Sequence, residues 1–239
     1  MIHRRVVIVS VGHNFERPFH AVARVGVGKG DVVILVNSMP ITDRAEEVMK
    51  ELSVKIGNTY GGVIIETLWL DPRNQFEENI AVLRRTVERY APCEVFILAV
   101  GGFRWLSIAL LYLAQVLKSI DMVRGFKEID FELELEEDTI SREIIEKLFP
   151  TQQTRVIRIP IIPKLIEITA QELKILETIS NEKKRIKDIL TYLNEQIMDM
   201  KRQTLQRKLR QLAKKELIVY RPAGKQYIYE LTSLGKMFV

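Results

Sequence analysis

The sequence predicts an α/β fold: a mostly parallel sheet wrapped by helices, with a smaller helical unit behind it. Two observations predict the sheet. Apolar, β-branched runs recur at Arg5–Val11, Asp31–Ser38, Gly62–Leu70 and Cys93–Val100, and each is followed by a stretch with helical spacing. Strands alternating with helices at that rhythm build a parallel sheet covered on both faces. A third observation predicts the second unit. Residues 169–239 carry 15 Lys and Arg against 8 Asp and Glu, a balance of +7 in a chain of net charge +5.

Taken in order, Arg5–Val11 alternates little, as a strand buried on both faces does. The turn Gly12-His13-Asn14-Phe15-Glu16-Arg17-Pro18 follows, then a short helix over Phe19–Val27 closed by Gly28-Lys29-Gly30. Asp31–Ser38 is a second buried strand. A helix over Thr42–Ile56 sets Ala45, Val48, Met49, Leu52 and Ile56 on one face, with Gly57 where a C-terminal glycine cap belongs. Gly62–Leu70 ends at Asp71-Pro72, where Asp71 reads as a helix cap. The helix over Asn74–Tyr90 presents Phe76, Ile80, Leu83 and Val87. Cys93–Val100 stops at Gly101-Gly102, and an apolar helix runs on to Lys118.

Beyond residue 128 the pattern changes. Ile129, Phe131, Leu133 and Leu135 alternate with Asp130, Glu132, Glu134 and Glu136, which predicts a half-buried strand with an acidic outer face, added antiparallel at the sheet edge. A short helix over Ser141–Leu148 and a strand over Arg155–Pro160 complete a first domain of residues 1–160. Residues 161–168 form a stiff, apolar linker, and residues 169–239 the second domain. There Thr169-Ala170-Gln171-Glu172 is a capping box that starts a helix carrying Leu173, Leu176 and Ile179. Two further helices, Arg185–Leu193 and Met200–Lys215, precede a hairpin of Ile218–Tyr220 and Tyr227–Leu231 that turns through Arg221-Pro222-Ala223-Gly224-Lys225. Three helices and a hairpin with a basic tip is the order of a winged helix-turn-helix.

Bulk properties exclude several classes. A chain 47% hydrophobic and 28% charged is globular rather than disordered. The apolar segment Trp105–Leu117 is too short to span a bilayer, and no leader pattern follows Met1, so a cytoplasmic protein with no membrane partner is expected. One cysteine excludes an internal disulfide and a cysteine-rich zinc site. His3, His13 and His20 lack metal-site spacing. Neither a metal nor a cofactor is expected.

Two groups of residues carry the chemistry. In the third helix of the second domain, Leu205, Leu209 and Leu212 face inward, which puts Arg202, Gln203, Gln206, Arg207 and Arg210 on the other side. Arg pairs two-pronged with guanine and Gln with adenine, while Lys and Arg neutralise phosphates. Lys201, Lys208, Lys214 and Lys215 thicken the field, and Arg221 and Lys225 bracket the hairpin turn. The expected partner is double-stranded DNA. In the first domain, no phosphate loop, nucleophile elbow or paired carboxylates are found, so it is not expected to be an enzyme. Three strand ends converge instead: Gly12-His13-Asn14-Phe15, Asn37-Ser38, and Gly101-Gly102-Phe103-Arg104. In a parallel sheet, ligands collect at the carboxyl ends of strands, and these residues suit a ligand bearing phosphates and bases.

With Ser10-Val11-Gly12-His13-Asn14 in one loop, Gly102-Phe103-Arg104 in another and Gln203-Thr204-Leu205 to Leu217-Ile218 in the tail, the whole chain resembles the CRISPR-associated Rossmann-fold (CARF) regulators of archaea, transcription factors with a winged-helix tail. The resemblance implies a homodimer whose paired Rossmann-like domains bind a cyclic oligoadenylate, typically cyclic tetra-adenylate, across the two-fold axis. Asn14 and Arg104 would touch the ring, Gly12, Gly101 and Gly102 would allow close backbone approach, and Trp105–Leu117 would bury its excess apolar surface against the partner. Where the family carries an acidic residue and a Ser or Thr before the glycine, this chain has Leu98 and Val100. Two alternatives stay open: a ring nuclease assisted by His13, Ser10 or Arg104, and a winged-helix regulator with a ligand-free dimerisation domain.

Overall fold

The computed structural model describes residues 4–134, 156–158, 166–182, 185–196, 200–224 and 226–239. The helix expected over Ser141–Leu148, most of the linker, Lys225, and residues 197–199 between the second and third C-terminal helices lie outside them. Strands β1 (Arg5–Ser10), β2 (Val32–Ser38), β3 (Ile64–Leu70), β4 (Cys93–Ala99) and β5 (Phe126–Glu134) run parallel, and β6 (Val156–Arg158) pairs antiparallel with β5. Their order is β3-β2-β1-β4-β5-β6. The crossovers α1 (Glu16–Val25), α2 (Asp43–Thr59), α3 (Phe76–Glu88) and α4 (Arg104–Arg124) fill the two faces.

Period-two alternation explains why β1 and β2 have no polar side. Val7, Val9, Val33 and Leu35 pack beneath Ala21, Val22, Val48, Leu52 and Ile56 of α1 and α2. Val6, Ile8 and Ile34 point the other way, into a cluster with Ile80, Leu83, Leu106, Leu110 and Leu113 of α3 and α4. Both faces of the central strands are therefore dry, the arrangement of a Rossmann-like sheet.

Several boundaries differ from expectation for local reasons. α1 starts three residues early and ends at Gly26, whose φ of 73° closes the helix in place of Gly28. Gly57 does not cap α2: it lies inside the helix, which runs on to Thr59. Asp71 caps no helix either. Its carboxylate accepts from the Arg73 backbone N–H at 2.9 Å and from the Arg73 guanidinium, closing a turn ahead of α3. Those bonds hold its pKa down at about 2. α4 continues to Arg124 and stops at Gly125 with φ 81°. At 21 residues and mean hydropathy 1.6, it is long and apolar enough to cross a membrane, yet half of that apolar window is buried in the fold.

The alternating strand is the clearest correction. β5 is parallel to β4, and the antiparallel edge is β6. Its acidic face is not solvated. Arg17 meets Glu134 at 2.9 Å, and Arg24 reaches Glu132 and Glu134 at 3.7 and 3.8 Å, so α1 covers that face with cations instead of apolar side chains.

The C-terminal unit contains α5 (Ala170–Ser180), α6 (Ile186–Glu195), α7 (Arg202–Lys214), a hairpin of β7 (Ile218–Ala223) and β8 (Gln226–Leu231), and a final turn α8 (Ser233–Lys236). The strands extend through Arg221–Ala223, with Ala223 paired to Gln226, so these three residues are strand rather than turn. An antiparallel bridge ties Arg185 to Ile228. The capping box is formed: the Glu172 N–H donates to Thr169 Oγ1 at 3.3 Å, and the Thr169 N–H to Glu172 Oε2 at 2.9 Å. One apolar cluster runs without a break from β4 and α4 into Ile175, Leu176, Leu205 and Phe238. Arg124, held by Glu88 of its own unit at 3.3 Å, pairs across that junction with Glu177, and Arg85 donates to the Val239 carbonyl at 3.1 Å.

Two predictions follow from this packing. A Cβ on Gly235 would lie 2.0 Å from the Leu217 carbonyl oxygen, so Gly235→Ala should lower stability by about 1–3 kcal/mol or more in urea unfolding. Burial pushes the Glu172 carboxyl up, but bonds from Lys215 and Thr169 outweigh it and leave its pKa lowered from 4.5. That contribution is present above the ordinary value and lost as pH falls through the lowered one. Unfolding midpoints measured from pH 6 downward (a scale of about two units around the usual carboxylate range) should fall less steeply for Glu172→Gln than for the parent chain.

Candidate functional site

β1 lies between β2 and β4, and the chain leaves β1 and β4 for opposite faces of the sheet. That divergence opens a crevice at the carboxyl ends of the strands. A cleft of about 230 Å³ occupies it, lined by Gly12 and His13 after β1, Asn37, Ser38 and Pro40 after β2, Thr42 and Ala45 at the start of α2, and Gly102 and Phe103 before α4.

Backbone contact fixes its floor. A Cβ on Gly12 would lie 2.7 Å from the Gly102 nitrogen, one on Gly101 3.2 Å from the Gly12 nitrogen, and one on Gly102 3.0 Å from the Val11 carbonyl oxygen. The two loops touch main chain to main chain. Ser10, fully buried, fastens them: its Oγ accepts from the backbone N–H of Val100 at 3.0 Å and of Gly101 at 3.3 Å. On the β2 side, Asn37 Oδ1 accepts from the Ser38 N–H at 2.7 Å, and the Ser38 hydroxyl donates to the Met39 carbonyl at 2.9 Å. The Met39–Pro40 peptide is cis. Two helices start at the rim. Thr42 caps α2 by accepting from the Ala45 N–H at 3.3 Å, while Phe103 caps α4 with no side-chain bond. Helix N-termini favour anions.

Of the residues expected to hold a ligand, Gly12, His13, Ser38, Gly102 and Phe103 line this cleft. The others have different surroundings. Asn14 Oδ1 accepts from the Glu16 N–H at 2.7 Å at the entry to α1. Phe15 turns toward α2, where the Lys55 ammonium lies 4.6 Å above its ring. Gly101 packs on Gly12. Arg104 is exposed on the first turn of α4 and makes no ion pair among the described residues. Leu98 and Val100 are 1% and 3% exposed in the layer beneath α1 and α2, and neither lines the cleft. Pro40, Thr42 and Ala45 were missed. The signal for them was Thr42 opening a helix just after a strand end.

On α7, Leu205, Leu209 and Leu212 are buried, Gln206 is half-buried, and Arg202, Gln203, Arg207 and Arg210 are exposed, with Lys201 just ahead of them. Arg221 pairs with Glu230 at 2.8 Å. Lys215 does not join the exposed basic face; it bonds Glu172 at 2.7 Å and the Glu167 carbonyl at 2.6 Å. Among the described residues no cluster of His, Cys, Asp and Glu is suited to a metal ion.

No protein-family model matches the chain, and no curated protein matches it in sequence. Among solved structures it is similar to Enterococcus italicus Csm6 bound to cyclic hexa-2'-fluoro-hexa-dAMP, at 11% identity and a TM-score of 0.46. That alignment covers 90% of this chain and 55% of the other, so the chain spans about half that protein's length. The likeness is too loose to assign a family.

The Ser10 hydroxyl gives a prediction. Ser10→Ala leaves the buried Val100 amide and the half-buried Gly101 amide unpaired and should cost about 1–3 kcal/mol in denaturant unfolding.

Proposed function

We propose that this chain is a cytoplasmic, dimeric DNA-binding regulator of CRISPR-associated genes, whose α/β unit senses a cyclic oligoadenylate and whose C-terminal unit is a winged helix-turn-helix. The cleft at the β1–β4 divergence carries the reading. It offers glycine backbone, an imidazole at His13, the polar pair Asn37 and Ser38, the Phe103 ring and two helix starts, a set suited to bases and phosphates together. The resemblance in its loops to CARF regulators names the ligand class, with cyclic tetra-adenylate as first choice.

The size of the cleft argues for a dimer. At about 230 Å³ it falls below the roughly 300–1,000 Å³ of pockets for drug-sized ligands, so one chain holds only part of such a ring. Two clefts facing across a two-fold axis would hold all of it. Phe103 at the cleft is 55% exposed, and Ile108 and Tyr112 further along α4 are 52% and 47% exposed, which supplies apolar surface for a second copy. The Arg185–Ile228 bridge adds a third short strand contact to the hairpin, as a winged helix has, and supports α7 as the recognition helix.

Ring cleavage is the weaker reading. Ser10 is buried as a hydrogen-bond acceptor, and Arg104 is not among the residues lining the cleft, which leaves His13 alone.

Calorimetric titration with cyclic tetra-adenylate should give one ring per two chains, and His13→Ala should weaken binding about tenfold, the scale of a lost hydrogen bond to a charged group. An absence of heat at micromolar protein would overturn the ligand assignment. For DNA, Arg207→Ala should weaken duplex binding and reduce the slope of log affinity against log salt by about one. An unchanged slope would mean that α7 does not face the phosphates.

A further inference from the structure

The hairpin gathers rings on one face. Its register sets Tyr220 opposite Tyr229 and Pro222 opposite Tyr227, and residues two apart share a face, so all four lie together. Tyr229 is 8% exposed and belongs to the core, but Tyr220 and Tyr227 are 56% and 50% exposed. The Tyr220 ring stands edge-on to Tyr227 at 5.4 Å and tilts against Tyr229 at 6.0 Å. Between this face and α7 is a cavity of about 220 Å³, with Gln206 and Arg210 in its wall and Leu209 in its floor.

Neither the core nor the cleft uses the two exposed tyrosines. Their cavity is below the roughly 300–1,000 Å³ range for drug-sized ligands, which suits one planar ring system. Its chemistry is specific. Tyrosine rings stack on a base of any sequence, a Gln amide offers a donor and an acceptor to a base edge, and Arg pairs with a base edge or a phosphate. Arg210 and Gln206 also belong to the helix face assigned to DNA.

We propose that this notch takes one unpaired nucleobase of the DNA strand lying against α7, stacked on the face of one of the Tyr220 and Tyr227 rings and flanked by the other, with Gln206 and Arg210 at its edge and phosphate. The inference rests on the DNA-binding reading and adds to it: the chain prefers a site with an unstacked base over one fully paired.

The test titrates the full chain with three probes: a paired duplex, the same duplex with one bulged 2-aminopurine, and free 2-aminopurine riboside monophosphate. The bulged duplex should bind about tenfold tighter than the paired one, within the range for one base stacking on an aromatic side chain, and its fluorescence should be quenched. Tyr220→Leu with Tyr227→Leu should abolish both the preference and the quenching, while Tyr227→Phe, which still stacks, should keep them. Equal affinity for the two duplexes with no quenching overturns the notch and leaves duplex binding standing. Quenching of the bulged probe without binding of the paired duplex does the reverse. Free nucleotide binding as tightly as the bulged strand overturns the assignment to DNA, and silence of all three probes overturns both readings.

Discussion

The cleft depends on one contact, the main chain of Gly12 against the main chain of Gly101 and Gly102. Side chains normally keep neighbouring loops a side-chain width apart. Here three residues without a Cβ remove that spacer, and Gly102 takes a φ of 84° that other residues adopt only at a cost. The two crossovers can then diverge from adjacent strands while their first residues stay in contact. The Ser10 hydroxyl completes the joint by holding the end of β4 from below. The floor of the cleft is thus set by backbone rather than by rotatable side chains.

The parallel core was legible because its physics is local. Val6–Val9 and Val32–Val36 show no polar side in sequence and have none in the fold. Helix ends were less legible: Gly26 and Gly28, or Gly57 and Tyr60, differ in backbone angle, and composition does not record angles. The acidic face of β5 misled for a different reason. Its partners Arg17 and Arg24 lie more than a hundred residues upstream, and alternation reports only that one face is apolar, not what covers the other.

The site was legible in location and only partly in membership. Strand ends could be read from the runs that precede them, so Gly12, His13, Ser38, Gly102 and Phe103 were found. Asn14 and Phe15 follow the same strand, yet the chain turns into α1 at once, which engages Asn14 at the helix entry and carries Phe15 toward α2. Leu98 and Val100 appear as departures when loops are compared as strings. In the fold they are core residues, because a two-residue period sends them under α1 and α2, away from the crevice.

Among the described residues, the junction between the two units is packed rather than open. Ile175, Leu176 and Phe238 share one apolar cluster with α3 and α4, and Glu88, Arg124 and Glu177 form a chain of charges across the seam. Separating the units would wet that apolar surface and break the Arg124–Glu177 pair. Among the described residues the two units are therefore joined by packing from the sheet to α7, closer to a lever than to two bodies on a tether. A small rotation at the cleft end would be delivered at α7 enlarged by the length of the arm, because packed apolar side chains leave no slack along the way.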